Sequence, residues 1–260
     1  MKIEFCINKS GELIVGTLVR NQEVEEEIEE LTIPSIVKGI NVESIADTFR
    51  FTFQRLYEHG VRSIHKLIIE DGVEKINAEA FSGINIEINT VCWAKTCKVI
   101  PLYCFFNSKI KSIVGIEEVE EIETAAFYGT LLKYFNWPSK CKEIPMECFW
   151  KCNRLEQIDG IEEVTDIGYG AFRSSAIKKF LWPEGVSTLE GAEFLIACEK
   201  LEEIKFLGNG VRTIDLKCLS LLKGTKKIKV SCCAINLLNT KEYSKIKDRL
   251  ILPYYVTVVS

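Results

Sequence analysis

With 260 residues, 47% of them hydrophobic and 27% charged, the chain has ample apolar surface for a continuous core, and its composition excludes general disorder. The formal net charge of −4 is mild but divided: residues 1–130 hold 13 Lys and Arg against 21 Asp and Glu, whereas residues 131–260 hold 20 against 16. No basic stripe carries a nucleic-acid motif, and no window approaches about 18 uninterrupted apolar residues, so no helical membrane span is expected.

In chain order, IEFCINKSGELIVG (Ile3 to Gly16) reads as a hairpin turning between Asn8 and Gly11. The acidic run from Glu23 to Glu30 reads as a solvated face. LTIPSIVKGINVESIADTF (Leu31 to Phe49) then looks like a degenerate first repeat, with an insertion running to Tyr57. Residues 1–60 are therefore expected to form a hairpin and a capping repeat, because a terminal repeat must close the core with a polar face.

From residue 61 an internal period governs the chain. Phe81, Phe105, Phe127, Phe149, Phe172 and Phe194, followed by Leu219, occupy one position at steps of 24, 22, 22, 23, 22 and 25. Five residues before each stands Ile76, Ile100, Ile122, Ile144, Ile167, Leu189 or Ile214. Immediately before the Phe comes a small residue in Ala80, Cys104, Ala126, Cys148 and Ala171, as a crowded corner between adjacent coils requires. Each unit opens on apolar-x-x-apolar, in most followed by x-apolar, as in Ile64-Leu67-Ile69, Ile88-Val91-Trp93, Leu132-Phe135-Trp137 and Ile177-Phe180-Trp182. That pattern predicts a half-buried strand. Trp93, Trp137 and Trp182 alternate with Gly115 and Gly160, a two-repeat superperiod in which glycine is expected to leave room for an inward indole. No unit can bury its apolar side alone, so stacking makes the array. After seven such units over 61–230, the tail TKEYSKIKDRLILPYYVTVVS suits a C-terminal cap over 231–260, the whole forming one continuous domain.

These motifs, seen best in LKYFNWPSKCKEIPMECFWKC, EQIDGIEEVTDIGYGAF and KKFLWPEGVSTLEGAEF, resemble the BspA-like leucine-rich repeat. Of the glycine that follows the Ile in that family, only Gly168 remains. The resemblance implies a mainly β or α/β-type solenoid, curved, with a parallel sheet on one face and short irregular or helical returns on the other. It also implies protein binding or adhesion as the role.

Little in the chain reads as chemistry. Eleven cysteines accompany an N-terminus, MKIEFCINKSGELIV, that lacks a signal-peptide core, so the thiols are expected to be reduced and the location cytoplasmic, or the cell surface if a targeting segment has been removed. His59 and His65 belong to no metal or triad motif, and Cys92/Cys97 and Cys148/Cys152 lack finger spacing. Neither metal nor cofactor is expected, and no enzyme. The acidic runs at Glu117 to Glu121 and at Glu162 and Glu163 recur at one repeat position and form a coil edge. Cys232 and Cys233 are the thiols that the array does not account for.

The outward strand positions form a stripe whose middle holds Tyr134, Asn136, Gln157 and Asp159, followed by Lys179. An amphipathic aromatic among adaptable polar groups suits a contact surface. These five residues are the candidate site, and an unidentified protein is the expected partner.

Overall fold

Where both halves of a repeat are described it folds into one coil with two short strands, and within each unit the stacked coils pair such strands in parallel. The computed structural model describes residues 3–18, 26–186, 193–207, 211–215, 219, 227–231, 234–238, 245–252 and 256–258. The chain divides into two compact units, Met1–Leu132 and Lys133–Ser260.

In the first unit the strands Glu27–Ile33, Ser63–Ile69, Glu87–Cys92 and Ile113–Val114 pair in parallel and in chain order, which sets Leu31, Leu67 and Val91 in one row. The apolar-x-x-apolar-x-apolar spacing has its reason here. Ile64, Leu67 and Ile69 are buried, whereas His65 is exposed and Lys66 and Ile68 are half-buried on the outer face. The returns are more regular than irregular coil. Ser44–Ile45 pairs in parallel with Lys75–Ile76, and Val99–Ile100 with Glu121–Ile122, and Ile45, Ile76, Ile100 and Ile122 are all buried.

The corner carrying the repeated Phe is held by a ladder of backbone hydrogen bonds. The N–H groups of Glu79, Phe81 and Gly83 donate to the carbonyls of Leu102, Cys104 and Phe106 in the next coil, and those of Tyr103, Phe105 and Asn107 to Thr124, Ala126 and Tyr128. Alternate residues must therefore aim their N–H groups along the stack. The residues two before and two after the Phe do this by adopting positive φ: Glu79 and Gly83, Tyr103 and Asn107, Ala125 and Gly129. The rings stack accordingly, Phe81 on Phe105 at 5.4 Å and Phe105 on Phe127 at 5.6 Å. The small residue before each Phe is fully buried beneath the next coil, which is why Ala80, Cys104 and Ala126 interchange there.

At the start of this unit Ile3–Ile7 and Glu12–Leu18 form the antiparallel hairpin. The segment after the first repeat is the helix Arg50–Glu58, which buries Phe53 and Leu56 and packs Phe53 edge-on to Phe49 and Phe81.

The second unit repeats the plan. Tyr134–Asn136 pairs with Gln157–Asp159, and Lys179–Trp182, Glu203–Phe206, Ile228–Ser231 and Leu250–Ile251 form a four-stranded parallel sheet. On the return side Glu143–Ile144 pairs with Asp166–Ile167, and Val211–Asp215, Ala234–Leu238 and Val256–Val258 pair in parallel. Parallel pairing thus continues past residue 230. Phe149 stacks on Phe172 at 5.6 Å, with the corner ladder running from Glu147, Phe149 and Lys151 to Tyr169, Ala171 and Arg173.

All three repeat tryptophans are buried, and each indole Nε1 donates to the carbonyl four residues on: Trp93 to Cys97 at 3.0 Å, Trp137 to Cys141 at 2.8 Å, Trp182 to Val186 at 3.3 Å. The role expected for the glycines needs correction. Gly115 and Gly160 have φ of 81° and 79°, and a Cβ there would lie 2.7 Å from the backbone oxygen of Trp93 or Trp137. They permit a close backbone approach and a left-handed turn rather than space for an indole. In the coil after Trp182 the register partner is Phe206, not a glycine, and the two rings stack at 4.8 Å.

Candidate binding face

The unit Lys133–Ser260 carries all five candidate residues on its strand face. Phe135, Ile158, Phe180 and Ile204 point into the core, and their burial holds the intervening residues outward on rigid strands. Tyr134 is opposite Gln157 and Asn136 opposite Asp159 in the pairing. Tyr134, Asn136, Gln157, Asp159 and Lys179 are all exposed, Tyr134 by 57%. Across the strands runs an open depression of about 640 Å³, lined by Tyr134, Gln157, Asp159, Lys179, Leu181 and Lys205 among others. Asn136 lies on the same face outside that lining.

The depression also holds residues that strand alternation alone misses. Glu156, Lys178 and Glu202 line it; they are the first of the two polar positions in apolar-x-x-apolar, and both positions face out. The doubled polar letter was the available signal.

Electrostatically the face is nearly neutral and tied together coil to coil. Lys178 Nζ lies 2.7 Å from Glu156, which holds the Glu156 carboxyl below and the Lys178 ammonium above their ordinary values, in each case chiefly through that hydrogen bond. Glu203 lies between Lys179 at 3.6 Å and Lys229 at 4.0 Å. Gln157 Nε2 donates to both Asp159 oxygens at 2.8 Å, and the Lys133 ammonium sits 5.1 Å from the Tyr134 ring centroid.

Elsewhere the titratable groups are structural. His65 is exposed, with Nδ1 3.1 Å from the Asn89 amide. Cys97, Cys104, Cys141, Cys148, Cys152 and Cys198 are buried. Burial pushes the Cys97 thiol up to about 12, helped by Glu74 and Asp71, and the Cys198 thiol up to about 11; burial also raises the Cys104 thiol well above its ordinary value. A thiol so far from ionising is a poor nucleophile. Cys232 and Cys233 lie outside the described residues. Among the described residues no three His, Cys, Asp or Glu side chains gather as metal ligands, and no helix is long and apolar enough to cross a membrane.

Stacked coils, parallel strand pairing and an outward strand face define a strand-rich repeat solenoid. The model described as BspA type leucine rich repeat region (6 copies) matches residues 25–156, 74–201 and 120–241, and the chain belongs to this family. Among solved structures, a leucine-rich repeat protein from Bacteroides ovatus is similar with a TM-score of 0.50 and 18% identity, over 100% of this chain and 76% of that one. A leucine rich cell surface protein from Faecalibacterium prausnitzii is similar with a TM-score of 0.55 and 19% identity, over 91% and 72%. At these identities the likeness is one of fold. The comparison with curated proteins gives no match.

Proposed function

We propose that this chain is a non-enzymatic scaffold that binds a protein partner on the strand face of its second unit. The observation that carries the reading is the clustering of Tyr134, Gln157, Asp159 and Lys179 around one open depression, on strands whose alternate residues are locked in the core. A half-hydrophobic ring with hydrogen-bonding neighbours supplies area and direction at small entropic cost. A pull-down from the native source with the wild type and with Tyr134→Ala combined with Asp159→Lys tests it. Loss of the partner from the double variant is expected, and unchanged recovery would count against this face.

A second reading, a surface adhesin for a host protein or carbohydrate, is favoured by the similarity to a cell surface protein. It requires export. Fractionation of the native cells separates the two, since a purely cytosolic protein cannot be an adhesin.

A further inference from the structure

Resting on the sheet-face reading, we propose that the depression recognises an extended polypeptide laid along the stack of coils, carrying a basic and an acidic side chain three residues apart. The argument begins with the charges the face leaves available. Glu156 is engaged by Lys178, and Glu203 lies between Lys179 and Lys229. The third outward position of the strands runs Asp159, Leu181, Lys205 over consecutive coils, Leu181 being opposite Lys205 in the pairing. Lys205 is exposed, and its ammonium has no hydrogen-bond or ion-pair partner among the described residues. Asp159 is bound by the Gln157 amide alone, which leaves lone pairs on both oxygens. Leu181 is half-buried between them.

An acid, an aliphatic side chain and a base in one row are matched by a ligand bearing both signs of charge and an apolar centre. A neutral glycan offers neither charge, whereas a polypeptide offers all three. The Lys178 N–H donates to the Glu156 carbonyl and the Glu202 N–H to the Lys178 carbonyl, so these coils stack at about the 4.8 Å spacing of paired strands, and Asp159 and Lys205, two coils apart, project about 10 Å from one another. A polyproline II chain rises about 3.1 Å per residue with three residues per turn, which places i and i+3 on one side about 9.3 Å apart. A β-strand puts same-side residues about 6.6 or 13 Å apart and misses the spacing. The extended helix therefore fits the row, with the turn between the two charged residues lying across Leu181.

The test uses three short proline-rich peptides that adopt polyproline II and not α-helix, with Arg and Glu, two Arg, or two Glu at the i and i+3 positions. The full chain is titrated by NMR, reading the Leu181 methyl and Tyr134 ring signals. The wild type is expected to bind the mixed peptide about fivefold more tightly than either like-charged one, the discrimination available from solvent-facing ion pairs, and less tightly at high salt. Lys205→Glu should move the preference to the two-Arg peptide and Asp159→Lys to the two-Glu peptide. These exposed side chains contribute nothing to the core, and unchanged core methyl signals would verify the fold. An identical ranking by all three proteins, no binding of any peptide by the wild type, or shifts that bypass Leu181 would overturn the proposal. If the pull-down partner is nevertheless lost from the Tyr134→Ala, Asp159→Lys protein, the sheet-face reading survives that failure. If the preferences switch while partner recovery is unchanged, the peptide row stands and the sheet-face reading falls.

Discussion

Trp137 shows how one residue serves two ends of its coil. Its indole is buried and its Nε1 donates to the Cys141 carbonyl, so the ring both fills the core and closes the turn after its strand. Trp137→Ala should destabilise by about 3–5 kcal/mol in urea unfolding, from the cavity and the orphaned carbonyl. Gly160, one coil further, permits a comparison. Gly39 has the same φ of 79° but open space around a built Cβ, whereas a Cβ on Gly160 meets the Trp137 oxygen at 2.7 Å. Gly39→Ala should cost about 1–2 kcal/mol for the left-handed conformation, and Gly160→Ala clearly more. Equal losses would deny the close approach. Cys97 makes a pH prediction. Val73, Val119, Val164 and Val186 hold its place in other coils, and all are buried. Because its folded pKa is raised from 9.0 to about 12, the thiol stabilises the fold fully below pH 9, and that contribution disappears as pH rises toward 12. The urea midpoint of the wild type should fall over that window more steeply than that of Cys97→Val.

At the scale of the coil, the period of Phe and Ile made the strand, the return and the crowded corner legible before any coordinates. A side chain that recurs every 22 to 25 residues must face its own copies. The strands of the return were not legible, because two residues such as Val99 and Ile100 are too few to show alternation. Nor was the left-handed geometry at Glu79, Tyr103, Ala125 and Glu147, since only Gly170 among the equivalents signals it by residue type. The position three after the Phe shows what the corner requires. Ser108 donates to the Phe81 carbonyl and accepts from Ile84 N–H at 3.3 Å, and Thr130, Cys152 and Ser175 stand at its place in later coils, all buried. All four are small side chains with a hydrogen to donate, and Ser108 directs its own back onto the preceding coil. Ser108→Ala should therefore cost about 1–3 kcal/mol by leaving buried backbone groups unpaired, and Ser108→Cys distinctly less. Equal costs in thermal unfolding would mean that volume alone matters there.

For the molecule as a whole, what was legible and what was not divide along the same physical line. Core positions repeat because every coil meets the same neighbours. Outward positions such as Tyr134, Gln157, Lys179 and Glu203 differ from coil to coil, because no core contact fixes their identity. The stripe could thus be located by register, but the ion pairs that join Glu156 to Lys178 and Glu203 to Lys179 arise only when coils stack. A structure built from near-neighbour contacts should also loosen near a lesion first. In the second unit, Phe172 stacks on Phe149, meets Phe180 at 5.4 Å, and donates its N–H to the Phe194 carbonyl. Phe172→Leu should accelerate hydrogen exchange first at the amides of Phe149, Lys151, Phe172 and Ser174, which form the ladders on either side of that ring. The Lys229 amide, which donates to Glu202 beyond the Phe172 ring contacts, should follow only at higher denaturant. Exchange that rises equally and together at all these amides would show instead that the unit opens as a single cooperative body, with no gradient from coil to coil.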